Sequence, residues 1–537
     1  MEQKLDFKLL AIVAGGLLFT FLFWMEKMAL NLLLYSVFSG IALLLDKGIP
    51  KSRKLFTLGA LHLLAGILVV YNQSVLTVFT WYISLAVFVG FAHAQLIRSV
   101  FTAIISFLMQ LFTSPFNLIQ RLINVRIGNF SLKPLAKPIK YVVLPILVLL
   151  LFTALYSNAN EVFAQYLNQF TDGLSVFFTN IYNFFFADLS IERVIHLIIG
   201  LLFTAAILLG LKGNGFEALE LKCKEQLVRN RKRNKNTFAH ELADLFLGSF
   251  IKSKLALKTE NIIGILCFAM LNLLLLFLNL IDLGTLWLNA QNASAAHYAS
   301  ELHDGTNILI FSIVLAMIVI LYFFNGNLNF YHKNKTLKLL AFIWIVQNTF
   351  LVLSVGLRDY NYVLMYGLTY KRIGVAVFLM LCTAGLVTVY LKVAQRKTFF
   401  FLYKVNGMVW YALLFVCCFA NWDVFIVEYN LKNQKASAID VNHLTDLSDK
   451  TLPLLDQNRK LLYSALKDSE FWPFAIDTAV NNPAQTTQTE KLTEQQQAEL
   501  AFNKRLDRRI ADFKARYNRT TWLSWNYRDW QTHQYFH

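Results

Sequence analysis

The stretch KLDFKLLAIVAGGLLFTFLFWMEKMALNLLLYSVFSGIALLLDKGIPKSRK, residues 4–54, holds two apolar runs, 9–25 and 28–45. Lys4 and Lys8 precede the first run, Lys47, Lys51, Arg53 and Lys54 follow the second, and only Lys27 lies between them. Each run is about as long as a helix that crosses a hydrocarbon core of ~30 Å. Met25-Glu26-Lys27 is not a small-residue cleavage site and a second apolar run follows at once, so the first is expected to stay as a membrane helix.

Outward from this hairpin the pattern repeats. Further apolar runs occupy 55–71, 75–92, 141–156, 194–211, 262–281, 306–324, 337–356, 373–391 and 399–420, which makes eleven expected spans. Backbone amides in hydrocarbon have no water to bond, so helices are the expected spanning structure. The fold class is therefore an all-α integral membrane protein, with 1–420 as a polytopic domain and 421–537 as a small helical tail.

Composition agrees. Of 537 residues, 56% are hydrophobic and 15% aromatic, with a mean hydropathy of +0.48, well above the ~45–50% apolar content of soluble chains. The lipid bilayer is the first expected partner. A net charge of +17 suggests a polyanion ligand until its distribution is considered: from Asn421 onward 15 basic side chains face 15 acidic ones, so the surplus lies in the membrane domain. No nucleic-acid partner is expected. Cys267, Cys382, Cys417 and Cys418 sit in apolar runs and Cys223 in a basic connection, so no disulfide framework is implied.

The surplus also sets direction. Before the tail, 30 Lys and Arg fall in the N-terminus and even-numbered connections, against 5 in the odd ones. Cationic flanks are retained on the cytoplasmic side, which puts the N-terminus inside and, after eleven crossings, the tail outside. In a bacterium that location is the inner membrane with an extracytoplasmic tail.

Three connections carry further features. Residues 100–123 repeat apolar side chains at helical spacing between Arg98 and Arg126 and are expected as an interfacial helix on the inner leaflet; the rival reading is a twelfth span that reverses everything after it. The cytoplasmic loop 212–260 contains the run Arg229, Arg231, Lys232, Arg233 and Lys235, which suits anionic lipid or a cytoplasmic partner, or serves only as a retention signal. The outer segment 160–188 is amphipathic. In the tail, 444–466 is expected as one helix, 481–497 as a polar linker, and the segment from Leu500 to Tyr517 as an amphipathic helix before the aromatic end that includes Trp522, Trp525 and Trp530.

Reactive motifs are sparse. His62, His196, Asn272, Asn279, Gln347 and Asn348 lie inside spans and are expected to be satisfied by hydrogen bonds from neighbouring helices. His240-Glu241 begins a zinc-protease signature, but Asp244 stands where the second His belongs. His297, Glu301, His303 and Asp304 cluster on the outer side before the eighth span and have the chemistry of a metal site, or of a solvated loop. No cofactor motif is present.

The segments ALYSNANEVF (154–163), LTYKRIGVAVF (368–378), NWDVFIVEYNL (421–431) and SWNYRDW (524–530) resemble the bacterial membrane proteins of the domain of unknown function 4173 type, relatives of domain 4153. The resemblance implies an inner-membrane location and brings no known activity. By the charge map all of these segments face the outer side. Tyr156, Asn158, Arg358, Asp359, Tyr370, Lys371, Arg372, Asp423 and Asn430 are therefore expected either to gather into one polar outer-face site or to form an ordinary interfacial belt. The resulting expectation is a non-catalytic envelope binding or signalling component. The alternatives are a transporter of a neutral or lipid-like solute and an enzyme acting on envelope lipids.

Overall fold

The computed structural model describes residues 7–123, 126–127, 130–131, 133–186, 190–211, 213, 215–228, 257–288, 295–324, 326–433, 439–468 and 494–537. Apart from a two-residue hairpin, Arg126–Ile127 against Phe130–Ser131, every regular element among them is helical. The basic run 229–235 and His240, Glu241 and Asp244 lie outside the described residues.

The chain opens with α1 (Phe7–Phe23), α2 (Leu30–Leu45), α3 (Arg53–Asn72), α4 (Val75–His93) and α5 (Val100–Ile123). Local chemistry marks several starts: the Ser52 hydroxyl accepts from Leu55 N at 3.2 Å, and Ser74 and Thr77 form a reciprocal capping box at α4. Next come α6 (Lys133–Ala159), α7 (Glu161–Phe186), α8 (Ile191–Leu208) and the short α9 (Gly215–Lys222). α8 returns to pack on α1 and α5, closing a first bundle whose core includes Tyr35, Leu43, Trp81, Leu85 and Ala205. Two of its buried polar pairs are matched across helices: Tyr35 and Thr204 hydroxyls lie 2.9 Å apart and Trp81 Nε1 donates to Ser36 Oγ at 2.7 Å.

A second bundle follows from α10 (Leu257–Asp282, continued by a π-turn at Leu283–Leu288), α11 (Ala295–Phe323), α12 (Lys335–Tyr366) and α13 (Tyr370–Gln395). Its core holds Phe268, Ile320, Leu337, Val355 and Leu386. Asn272 Nδ2 donates to the Leu340 carbonyl at 3.0 Å and Asn279 Nδ2 to that of Gln347 at 3.2 Å, stitching α10 to α12 as expected of polar groups in spans. His62 departs from that expectation: it stacks on Phe88 with neither ring nitrogen hydrogen-bonded among the described residues, and His196 packs between Phe19 and Trp24. α14 (Phe399–Phe419) joins the bundles, with Leu402 in the second core and Tyr411, Phe415 and Cys418 in the first.

Eight helical segments are long and apolar enough to cross a membrane: Arg53–Asn72, Val75–His93, Val100–Ile123, Ile191–Leu208, Leu257–Leu288, Lys335–Tyr366, Tyr370–Gln395 and Phe399–Phe419. Shorter apolar helical stretches cover Phe7–Phe23, Leu30–Leu45, Val148–Ala159 and Asn307–Phe323. Every expected span falls on one of these, and Val100–Ile123 is the addition. The protein is an all-α multi-pass membrane protein. α5 buries Val100, Ala103, Phe107, Gln110 and Ser114, a stripe of about 21 Å, against α4 and α8. Gly90 permits that approach, because a Cβ there would come within 2.2 Å of the Ala103 carbonyl oxygen.

The two ends of the bundle differ. One gathers cations: Lys8 pairs with Asp46 at 2.7 Å, Lys54 donates to the Ile97 carbonyl at 2.6 Å, Lys404 pairs with Glu225 at 2.7 Å, and Lys392 Nζ caps the Phe324 carbonyl at 2.7 Å. The other carries the tail, made of α15 (Trp422–Asn433), α16 (Val441–Asp446), α17 (Leu452–Gln457), α18 (Arg459–Asp468), α19 (Glu494–Asn518) and α20 (Tyr527–Tyr535). Its core packs Leu444, Leu452, Leu455, Leu462, Phe502 and Phe513 against Val363 and Leu368 of the membrane domain.

Two tail expectations are corrected. The single helix over 444–466 is broken into α16, a 3-10 turn at Asp449–Thr451, α17 and α18, because Leu447 and Ser448 leave the helix in extended backbone and Pro453 opens α17. α19 begins at Glu494, inside the segment expected as linker. The aromatic end docks on the first bundle: Tyr527 stacks on Tyr71 at 5.1 Å, and Ser524 Oγ bonds Glu26 Oε2 at 2.5 Å and accepts from Lys27 N at 2.8 Å.

Candidate functional site

The tail end of α12 and α13 is organised by one elbow. Gly367 ends α12 with φ 79° and ψ 178°, a conformation open to glycine and little else. Beside it Leu368 N donates to Asn430 Oδ1 at 2.6 Å, and Asn430 Nδ2 donates to the Leu368 carbonyl at 2.9 Å, so α15 grips the turn by both backbone groups. Arg372 reaches back from α13 to the Tyr366 carbonyl at 2.9 Å and to that of Gly367, while its guanidinium covers the Tyr362 ring at 4.3 Å. A cation on the last carbonyls of a helix satisfies groups that have no partner within it.

Two clefts flank the elbow and share Tyr370 and Gly374. The first, about 920 Å³, is lined by Arg358, Asp359, Tyr362, Lys371, Arg372 and His443 among others. Arg358 also pairs with the buried Asp282 at the end of α10. The second, about 840 Å³, runs between the α3–α4 turn, α13 and α14. Its rim carries Gln73, Tyr370, Asp423, Ser448 and Lys450, and its depth is apolar, with Leu76, Phe79, Val377, Leu381 and Leu413. At the rim the Tyr370 hydroxyl donates to Asp423 Oδ1 at 2.6 Å. Lys450 Nζ donates to Gln73 Oε1 at 3.0 Å and to the Gln73 carbonyl, which αL backbone at that residue turns out of α3. Burial pushes the Lys450 pKa down, against the opposing pull of the Asp529 and Asp423 carboxylates.

Of the residues expected to gather at the outer face, Arg358, Asp359, Tyr370, Lys371, Arg372, Asp423 and Asn430 are brought together here. Tyr156 and Asn158 are not: they lie on α6, which packs chiefly on α7. The Tyr156 ring meets Phe152 and Phe163, and Asn158 bonds the Ala154 carbonyl of its own helix. His297, Glu301, His303 and Asp304 fall on the backbone of α11, with side chains outside the described residues. Among the described residues no group of three or more His, Cys, Asp or Glu is placed to hold a metal. Sequence reading missed Lys450, Gln73 and Asp282. Lys450 belongs to a charge-balanced tail and meets a partner 377 positions away, and the pairing of Asp282 with Arg358 joins residues on different helices that sequence order does not bring together.

No curated protein and no solved structure matches the chain. A family model, described as a domain of unknown function (DUF4153), matches residues 58–458 of the 537. The match runs from α3 to the end of α17 and includes every rim residue of both clefts, so the chain belongs to the DUF4153 family.

Proposed function

We propose that this protein is a bacterial inner-membrane component that crosses the bilayer eleven times, with its N-terminus cytoplasmic and its tail outside. In this reading it acts by binding an amphipathic ligand at the outer face rather than by catalysis. The carrying observation is the lining of the second cleft: a polar rim shared between the tail (Ser448, Lys450) and the membrane domain (Gln73, Tyr370, Asp423), above an apolar slot between α13 and α14. A pocket of this kind takes an apolar body in its depth and fixes a polar head with a few placed groups. Because rim groups come from both domains, occupancy is felt by the tail, which suits a signalling role. A closer affinity to the 4173 type rests on the four sequence segments quoted above, and the basic run Arg229 to Lys235 is the proposed contact for anionic lipid or a cytoplasmic partner.

Gly374 supplies the test. It borders both clefts, and an added Cβ there meets no atom within 4 Å, so the side chain of Gly374→Phe starts into the open space. Native mass spectrometry of the detergent-purified full chain should show a retained lipid-sized adduct of unchanged mass after incubation, lost in Gly374→Phe. Equal retention by both proteins, or chemical turnover of the adduct, overturns the reading.

A further inference from the structure

The second cleft offers one unsatisfied cation and one unsatisfied anion at its mouth. A lysine ammonium has three N–H donors; Lys450 spends two on Gln73, and no other hydrogen bond engages it among the described residues. Asp423 accepts from Tyr370 through Oδ1, and its second oxygen takes no hydrogen bond among the described residues. The two side chains line the same cleft without forming an ion pair with each other. A gap flanked by opposite charges is therefore left at the rim.

The slot beneath is a chain site. Lining residues on α13 extend from Tyr370 to Leu381, a drop of about 16 Å along the helix, and Leu413, Leu414 and Trp410 of α14 face the same space. That is a depth for an acyl chain rather than for a compact solute. Trp422 and Tyr370 stand at the mouth, where amphipathic rings suit the level of lipid heads.

Charge complementarity selects the head. A purely anionic head near Lys450 also meets the field of the Asp423, Asp529 and Asp449 carboxylates, and a purely cationic head meets that of Lys450 and Lys27. Resting on the cleft reading above, we propose that the occupant is a membrane phospholipid with a zwitterionic head, its phosphate on Lys450 and its primary ammonium on the free oxygen of Asp423. Charge-assisted hydrogen bonds of this kind are the stronger class. The ammonium must donate as well as carry charge, so a quaternary head is a poorer fit.

The test uses the full chain in detergent, offered equal amounts of phosphatidylethanolamine, phosphatidylglycerol and phosphatidylcholine with identical acyl chains, and read by native mass spectrometry. Wild type should retain the ethanolamine lipid about tenfold over each of the other two, a ratio equivalent to about 1.4 kcal/mol. Asp423→Asn should erase the preference over the glycerol lipid, and Lys450→Gln should weaken retention of all three. Gly374→Phe should abolish retention of every lipid. If wild type retains none, the cleft reading itself fails. If retention is lost in Gly374→Phe but wild type shows no head preference, or the preference survives in Asp423→Asn, the cleft reading stands and the zwitterion assignment falls.

Discussion

Asn430 and Gly367 act as one fastening. Removing the amide in Asn430→Ala strands the Leu368 N–H and carbonyl in a buried turn, at a cost of about 1–3 kcal/mol. Gly367→Ala forces a side chain into φ 79° with Asn430 Oδ1 only 2.6 Å from the new Cβ, a strain of about 1–3 kcal/mol before any clash. Both variants should melt below wild type in detergent, and unchanged melting would remove the elbow from the account. Arg372 and Asp423 should behave differently, although the sequence grouped them together. Arg372 caps helix carbonyls, so Arg372→Ala should lower membrane abundance on immunoblots; Asp423 takes one hydroxyl at the rim, so Asp423→Asn should leave abundance at wild-type level and change only binding. Equal loss of abundance in both would make Asp423 structural. At this scale a sequence marks polar residues on one side of a membrane. It cannot say which of them are spent on backbone, because those partners are fixed by the α12–α13 hairpin.

The elements were more legible, since apolar length and flanking charge are local properties and every expected span falls on a helix. What periodicity cannot supply is how a helix is held. α9 and residues 223–228 after it form a strap across the basic end: Leu227 N donates to the Arg396 carbonyl at 2.9 Å, Thr398 N to the Glu225 carbonyl at 3.0 Å, and Arg98 reaches the Cys223 carbonyl at 2.7 Å. The hydrogen bond from Lys404 holds the Glu225 carboxyl below the usual carboxylate range. A group whose pKa falls on folding stabilises the folded state above its unfolded pKa, about 4.3 for glutamate, and that contribution is lost as pH falls through the lower folded value. Amide exchange over residues 224–228, corrected for intrinsic rate, should therefore stay slow at neutral pH and accelerate on acidification below pH ~4. Glu225→Gln should exchange faster already at pH 7 and lose the acid dependence. Protection independent of pH in wild type would show that the strap is held by its backbone bonds alone. The pair is about one-third exposed, so its effect should be local and leave the melting temperature nearly unchanged.

For the whole molecule the decisive fact is which end each helix starts from. α5 starts at the basic end, where Arg98 N bonds Glu220 at 2.5 Å, and α8 starts at the tail end, where Arg193 lies over the Trp24 ring at 5.5 Å. The chain between them must then cross an odd number of times, by α6 alone or by α5, α6 and α7 together. A crossing by 100–123 would thus have to be compensated by two more before α8, and among the described residues only the shorter apolar stretch Val148–Ala159 offers one. The charge alternation is legible in the order of residues alone; this parity is not, since it depends on where α8 meets α1. The sidedness that follows can be measured on a single chain. Cys223 is exposed at the basic end, the other cysteines are buried or half-buried in helices, and Gln531 is exposed on the tail. In intact cells a membrane-impermeant maleimide should label Gln531→Cys and spare Cys223, whereas inside-out vesicles should give the reverse, and a reporter enzyme fused after His537 should be active only outside. Labelling of Cys223 in intact cells with protection of residue 531 would invert the molecule, place both clefts on the cytoplasmic leaflet, and leave the distribution of its lysines and arginines without a cause.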